Sequence, residues 1–158
     1  RVLKETLENK TINVHVVSGG GSGEQILEKL NSMGFNVSCG VISHGDSDWN
    51  ICKLLNIDIA EVLPFSVISE DAIIKNISLI ENSDVVLVTD VPFGPANVVN
   101  LELLLETDKN VYVLKSYSKF DYTDGKAKEI LKKIENCNRL VYIDSYNEFI
   151  DIVKKAYI

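Results

Sequence analysis

Basic residues, cysteines and long apolar runs are what this chain has little of, and each shortage closes a class of function. Against 23 aspartates and glutamates stand 16 lysines and arginines, giving a formal charge of −7 and a pI near 4.8. Such a surface repels polyanions, so neither nucleic acid nor an anionic membrane is expected as a partner. Cys39, Cys52 and Cys137 are odd in number and show no C-x-x-C spacing. That argues against a disulfide framework or a structural zinc site and for a reducing, cytoplasmic setting. No apolar run approaches the roughly 18 residues needed to span a bilayer. The chain opens on Arg1 without a methionine or a signal-peptide pattern, so a piece of a longer polypeptide is expected.

What the chain does have is a glycine turn between a strand pattern and a helix pattern. In residues 11–25 (TINVHVVSGGGSGEQ), Ile12, Val14, Val16 and Val17 read as a buried strand. Gly19, Gly20, Gly21 and Gly23 then let the backbone turn sharply with its amides exposed. Ile26, Leu27, Leu30 and Met33 recur at helical spacing, and Ser22 with Gln25 has the spacing of a capping box. His15 falls inside the strand pattern and reads as a core histidine. Such a strand, turn and helix unit is where open α/β sheets bind ligands, although a tight turn that binds nothing has the same residues.

The pattern repeats along the chain. Strands are expected at 36–43, 58–63, 84–89, 110–115 and 139–143, and helices at 48–55, 69–82, 97–106, 125–136 and 145–156, the last opened by a capping box of Ser145 and Glu148. Residues 1–11 are polar and read as a linker or docking segment, and residues 12–158 as one domain. Alternating strands and helices predict a Rossmann-like α/β sandwich, a mostly parallel sheet of six strands in the order 3-2-1-4-5-6. That order opens a crevice between the first and fourth strands. The two loops richest in glycine and proline follow those two strands.

The four loops expected on the carboxyl edge are 18–25, 43–49, 64–71 and 89–97. They hold Glu24, Asp46, Asp48, Glu70, Asp71 and Asp90 but no lysine or arginine, and only Lys115 and Lys119 lie near. A phosphate bound directly would need cationic partners, so the edge suits a neutral, cationic or hydroxyl-rich small molecule, or a nucleotide carried with a divalent metal. The expected ligand-binding set is Gly19, Gly20, Gly21, Ser22, Gly23, Asp46, Ser47, Asp48, Trp49, Phe65, Ser66, Ser69, Asp90, Phe93, Gly94 and Asn97. Trp49, Phe65 and Phe93 would stack on a planar ligand or else close the end of the core. Pro92 and Pro95 would stiffen the loop that carries Asp90. The acids have a plainer use as well, capping helices and facing water.

Sharper motifs fail. The window from Gly20 to Glu24 breaks G-x-S-x-G at its fifth position, no G-K-[ST] follows the glycines, and G-x-G-x-x-G is missed. His44, Asp46 and Asp48 form H-x-D-x-D, a weak metal pattern.

Four strings, VVSGGGSG, GDSDW, PFSVIS and DVPFGPAN, together resemble the domain appended after the ATPase cassette in some prokaryotic ABC transporter ATP-binding proteins of the iron-siderophore and cobalamin uptake group. The resemblance spans about residues 12–115. It implies a cytoplasmic regulatory domain, joined to an ATPase cassette of the same polypeptide and through it to a permease at the inner membrane face. The function expected is small-molecule binding at the carboxyl edge of the sheet. An enzyme acting on a nucleoside-like or corrinoid substrate, with Asp90 or Asp46 as general base, and a homodimerisation domain without a ligand are the alternatives.

Overall fold

The computed structural model describes residues 11–18, 23–43, 47–63, 70–89, 95–114 and 125–157. Residues 1–10 of the expected segment at the amino end lie outside them. Among the described residues strands and helices alternate throughout: β1 Asn13–Val17, α1 Glu24–Ser32, β2 Asn36–Ser43, α2 Ser47–Leu55, β3 Asp58–Leu63, α3 Glu70–Glu81, β4 Val85–Val88, α4 Pro95–Leu105, β5 Val111–Leu114, α5 Gly125–Asn136, β6 Leu140–Ile143 and α6 Tyr146–Tyr157. The strands form one six-stranded sheet in the order β3-β2-β1-β4-β5-β6. Every pairing is parallel, with Val14 opposite Val85 and Val37, and Val16 opposite Leu87 and Cys39. The Rossmann-like expectation is met, strand order included.

The sequence of each central strand explains its place. β4 is VVLV and buried at all four positions, as a strand covered on both faces must be. One face packs Val14, Val16 and Leu87 under Leu27 of α1, Cys52 of α2 and Phe149 of α6. The other packs Val17, Val86, Val88 and Val113 under Ile80 of α3, Leu101 of α4 and Ile134 of α5. Helices following β1, β2 and β6 therefore cover one side, and those following β3, β4 and β5 cover the other.

The two edges of the sheet are built differently. At the edge where strands begin, helices stop abruptly. After α1, Gly34 has φ +88° while its amide donates to the Asn31 carbonyl (3.1 Å) and that of Phe35 to the Leu30 carbonyl (3.1 Å). Asn56 (φ 56°) after α2 and Asn138 (φ 61°) after α5 terminate their helices in the same left-handed way. Arg139 reinforces this edge, donating from Nη1 and Nη2 to the Leu104 carbonyl at 3.2 Å each and from Nη1 to the carbonyls of Thr107 and Lys109. The longer connections all lie at the opposite, carboxyl edge.

Helix starts hold one correction. α1 begins on Gly23 as its N-cap, and Ser22 of the expected Ser22–Gln25 capping box lies outside the described residues. α4 begins at Pro95, two residues before the expected start, because a proline lacks only an amide that the first helical turn leaves unpaired. Pro95 is thus helix, not loop. At α6 the Ser145 half of the box is formed, the Glu148 amide donating to Ser145 Oγ (3.2 Å), while the Glu148 carboxylate accepts at Oε2 from the Asp144 amide (2.7 Å), one residue before the cap. No helix among the described residues is long and apolar enough to cross a membrane.

Candidate functional site

Beneath the first turn at the carboxyl edge lies a buried polar cluster. Gly23 packs so tightly on the end of β1 that a Cβ there would lie 2.6 Å from Ser18 Cβ and 2.8 Å from its hydroxyl. Glycine is therefore required at this position for contact rather than for backbone freedom. Asp48, in the first turn of α2, is fully buried and turns its carboxylate inward, where the Gly23 amide donates to Oδ1 (3.2 Å) and Oδ2 (3.4 Å). A carboxylate from one βα unit thus holds the amide that opens the helix of another. One turn further along α2, the Cys52 thiol donates to Cys39 Sγ at 3.6 Å, both residues being fully buried. The hydrogen bond with Cys52, together with burial and the neighbouring Asp48 charge, pushes the Cys39 thiol well up, so it stays a protonated thiol.

A second polar cluster lies on the other face. His15 is fully buried, with Nδ1 2.8 Å from Ser38 Oγ, and Asn76 of α3 donates through Nδ2 to Oδ1 of Asn100 on α4 (2.9 Å). Asn100 fits because β2 has a glycine beneath it: a Cβ on Gly40 would lie 2.9 Å from Asn100 Cγ. Burial lowers the His15 pKa to about 4, with hydrogen bonding to Asn76 acting in the opposite direction. His15 Nε2 and Asn76 Oδ1 are both without a well-formed bond. His15 is thus the core histidine its place in the strand predicted.

The open part of this edge is a cleft of about 250 Å³ between the first turns of α1 and α6. Gln25, Ile26 and Lys29 line one side and Ser145, Tyr146 and Asn147 the other. Lys29 Nζ crosses it to Asn147 Oδ1 at 2.6 Å. Below, Phe149 meets Tyr112 of β5 edge-on, with ring centroids 5.5 Å apart at 67°. Both helices follow parallel strands and pack on the same face of the sheet, so their first turns lie toward the carboxyl edge. A pocket of about 130 Å³ at the opposite edge is lined by polar groups including Asn13, Asn36, Ser38 and Asp58.

Of the residues expected to bind a ligand, Gly19, Gly20, Gly21, Ser22, Asp46, Phe65, Ser66, Ser69, Asp90, Phe93 and Gly94 lie outside the described residues, as does His44 of the weak metal pattern. Asn97 lies in the first turn of α4, its side chain likewise outside them. Gly23, Ser47, Asp48 and Trp49 are described. Gly23 and Asp48 are brought together, but as an internal tie. Trp49 packs against the core with Lys53 Nζ 4.6 Å from its ring centroid, the core-closing use of that aromatic. Among the described residues no group of three histidine, cysteine or acidic side chains is placed to hold a metal. The cleft residues Lys29, Tyr146 and Asn147 were missed by sequence reasoning. The Ser145–Glu148 box marked where α6 starts, and the strand order places that start on this edge.

The fold and the cleft define a Rossmann-like α/β domain with a cleft toward the carboxyl edge of its sheet. A family model, that of the MJ0874 family, matches residues 37–150, and the chain belongs to that family. It is 32% identical over 66 residues to protein MJ0874 of Methanocaldococcus jannaschii, covering 42% of this chain and 71% of that one. Solved structures similar in fold include DNA processing protein A from Helicobacter pylori, which has a single-stranded DNA binding mode (TM-score 0.61, 13% identity, 97% of this chain and 85% of that one). Another is the FMN-dependent cysteine decarboxylase TvaF of thioviridamide biosynthesis (TM-score 0.59, 10% identity, 94% and 99%). At these identities the likeness is one of fold alone.

The family match corrects the resemblance to a transporter ATPase accessory domain, since the chain is a member of the MJ0874 family instead. The reason is physical. The strings that carried the resemblance are rich in glycine, proline, serine and aspartate and fall in the sequence between strands and helices, where any Rossmann-like chain needs such residues. With that resemblance goes the support for an attached ATPase cassette, a permease and an iron or cobalamin cargo.

Proposed function

We propose that this chain is a binding module for a small, largely uncharged or hydroxyl-bearing molecule, held at the carboxyl edge between the first turns of α1 and α6. The observation that carries the reading is the cleft itself, which lies between the starts of two helices that pack on the same face of the sheet and so lies toward its carboxyl edge. Ligands of open α/β sheets bind outside the carboxyl ends of the strands. Ile26 and Tyr146 supply apolar and aromatic wall, and Gln25, Ser145 and Asn147 supply hydrogen-bonding groups, the mixture that orients a small ligand in a mainly apolar pocket. On the sequence alone, the glycines of residues 19–22 and Asp90 are further groups we assign to the site.

The test is the thermal midpoint of the chain against nucleosides, sugars and polyols, organic amines and heteroaromatic compounds, with nucleotides plus and minus magnesium as comparison. A ligand at about a hundred times its dissociation constant adds roughly 2.7 kcal/mol, a rise of roughly 5 to 10 °C for a domain of this size. Such a rise, lost when Tyr146→Ala and Asn147→Ala are introduced, supports the reading. A rise that survives both substitutions removes the cleft from it.

A further inference from the structure

In a sheet of this order the amides at the start of α1 are the place where a phosphate sits, drawn by unpaired N–H groups and the positive end of the helix dipole. Here that end is already supplied with negative charge from inside the protein. Gly23, the N-cap, has no side-chain cap of its own, and its amide is shared between both oxygens of the buried Asp48. Asp48 comes from α2, so the charge is built into the packing of two helices rather than placed by the turn itself. The contact of Gly23 with Ser18 closes the same point from below. Glu24 adds a second carboxylate in the first turn.

We propose that Asp48 is a specificity-determining residue: an internal anion that occupies the amide end of α1 and restricts the site to ligands without a phosphate at that position. This rests on the ligand-binding reading for where the ligand lies. An arriving phosphate would meet a fixed like charge and find the Gly23 amide already bonded. A hydroxyl, amide or amine of a neutral or cationic ligand meets no such opposition. The inference deepens the functional reading by separating nucleoside-like and polyol ligands from nucleotides bound through α1.

The experiment is a titration of the whole chain with inorganic phosphate, and in parallel with AMP, following the Gly23 backbone amide by NMR. The native chain is expected to show no saturable shift. Asp48→Asn keeps an acceptor of the same shape for the Gly23 amide and removes the charge, and it should gain saturable binding at least tenfold tighter than any residual response of the native chain. Should the carboxamide not fold, Asp48→Ser carries the same expectation with a shorter neutral acceptor. Glu24→Gln, which removes the other first-turn charge, should change phosphate affinity less than threefold. Saturable phosphate binding by the native chain at Gly23, no gain in the Asp48 variants, or an equal gain in Glu24→Gln would each overturn the proposal. Because phosphate is its own probe, this result stands apart from the thermal panel. A silent panel sinks the ligand-binding reading, and a phosphate response in the native chain sinks the role of Asp48.

Discussion

Lowering the pH below neutrality should weaken this fold through one residue, His15. Its ring is fully buried beside Ser38 and Asn76, and burial holds its pKa at about 4 rather than the ordinary 6.5. Above pH 6.5 the ring is neutral folded and unfolded, and the group adds no pH dependence. Between 6.5 and about 4 the unfolded chain takes up a proton that the folded chain refuses, so stability falls as pH falls. Below about 4 both states are protonated and this contribution levels off. A separation of about 2.5 pKa units at about 1.4 kcal/mol each makes the full loss roughly 3 kcal/mol. In a domain of this length that is on the order of 6 to 12 °C in midpoint. The assay is urea unfolding of the native chain and of His15→Gln at several values between pH 7.5 and 4. Carboxylates titrate in both proteins, so the difference between the two curves isolates the histidine. That difference should shift against the native chain by roughly 3 kcal/mol across the window. Curves that stay parallel would refute the reasoning, since they would mean that His15 titrates alike in both states.

Three further expectations come from the packing. Gly23→Ala places a methyl 2.6 Å from Ser18 Cβ and should cost about 1 to 3 kcal/mol in urea unfolding, with Ser18→Gly in the same chain recovering much of it. A thiol reagent applied to the folded chain should label Cys137, which is exposed, within the mixing time and leave the buried Cys39 and Cys52 until urea is added. Ser145→Ala removes the hydroxyl that accepts the Glu148 amide and should lower stability by about 1 kcal/mol, whereas Ser145→Asp should nearly preserve it.

The fold was legible because parallel strands buried on both faces are continuous β-branched runs. VVLV at 85–88, buried at all four positions, has few other uses. The expected strand order is simply the common one for six alternating strands and helices, and the glycine- and proline-rich stretches follow the two strands which that order sets side by side at the reversal. His15 was readable as a core residue because it keeps the strand's alternation.

Asp48 was harder to read. In sequence it is one of several acids near a loop, and nothing in S-D-W says whether the carboxylate turns to water or inward to Gly23. Only the approach of α2 to the start of α1 decides that. The cleft was hidden for a similar reason, since α1 and α6 lie more than a hundred residues apart along the chain, as the Lys29–Asn147 bond shows, and meet only through packing over the sheet. The transporter resemblance failed where turn chemistry was taken for ancestry. The same residues recur wherever a parallel strand must hand over to a helix.

The most direct test of the central claim is amide chemical-shift mapping of the chain with each compound that raises the thermal midpoint. A ligand in the proposed site should move the amides of Gly23, Gln25 and Ile26 together with those of Tyr146 and Asn147, and leave Asn36 and Asn82 at the opposite edge unmoved. Shifts gathered around Asn36 and Asn82 instead, or spread evenly over the surface, would contradict the assignment of ligand binding to the carboxyl edge.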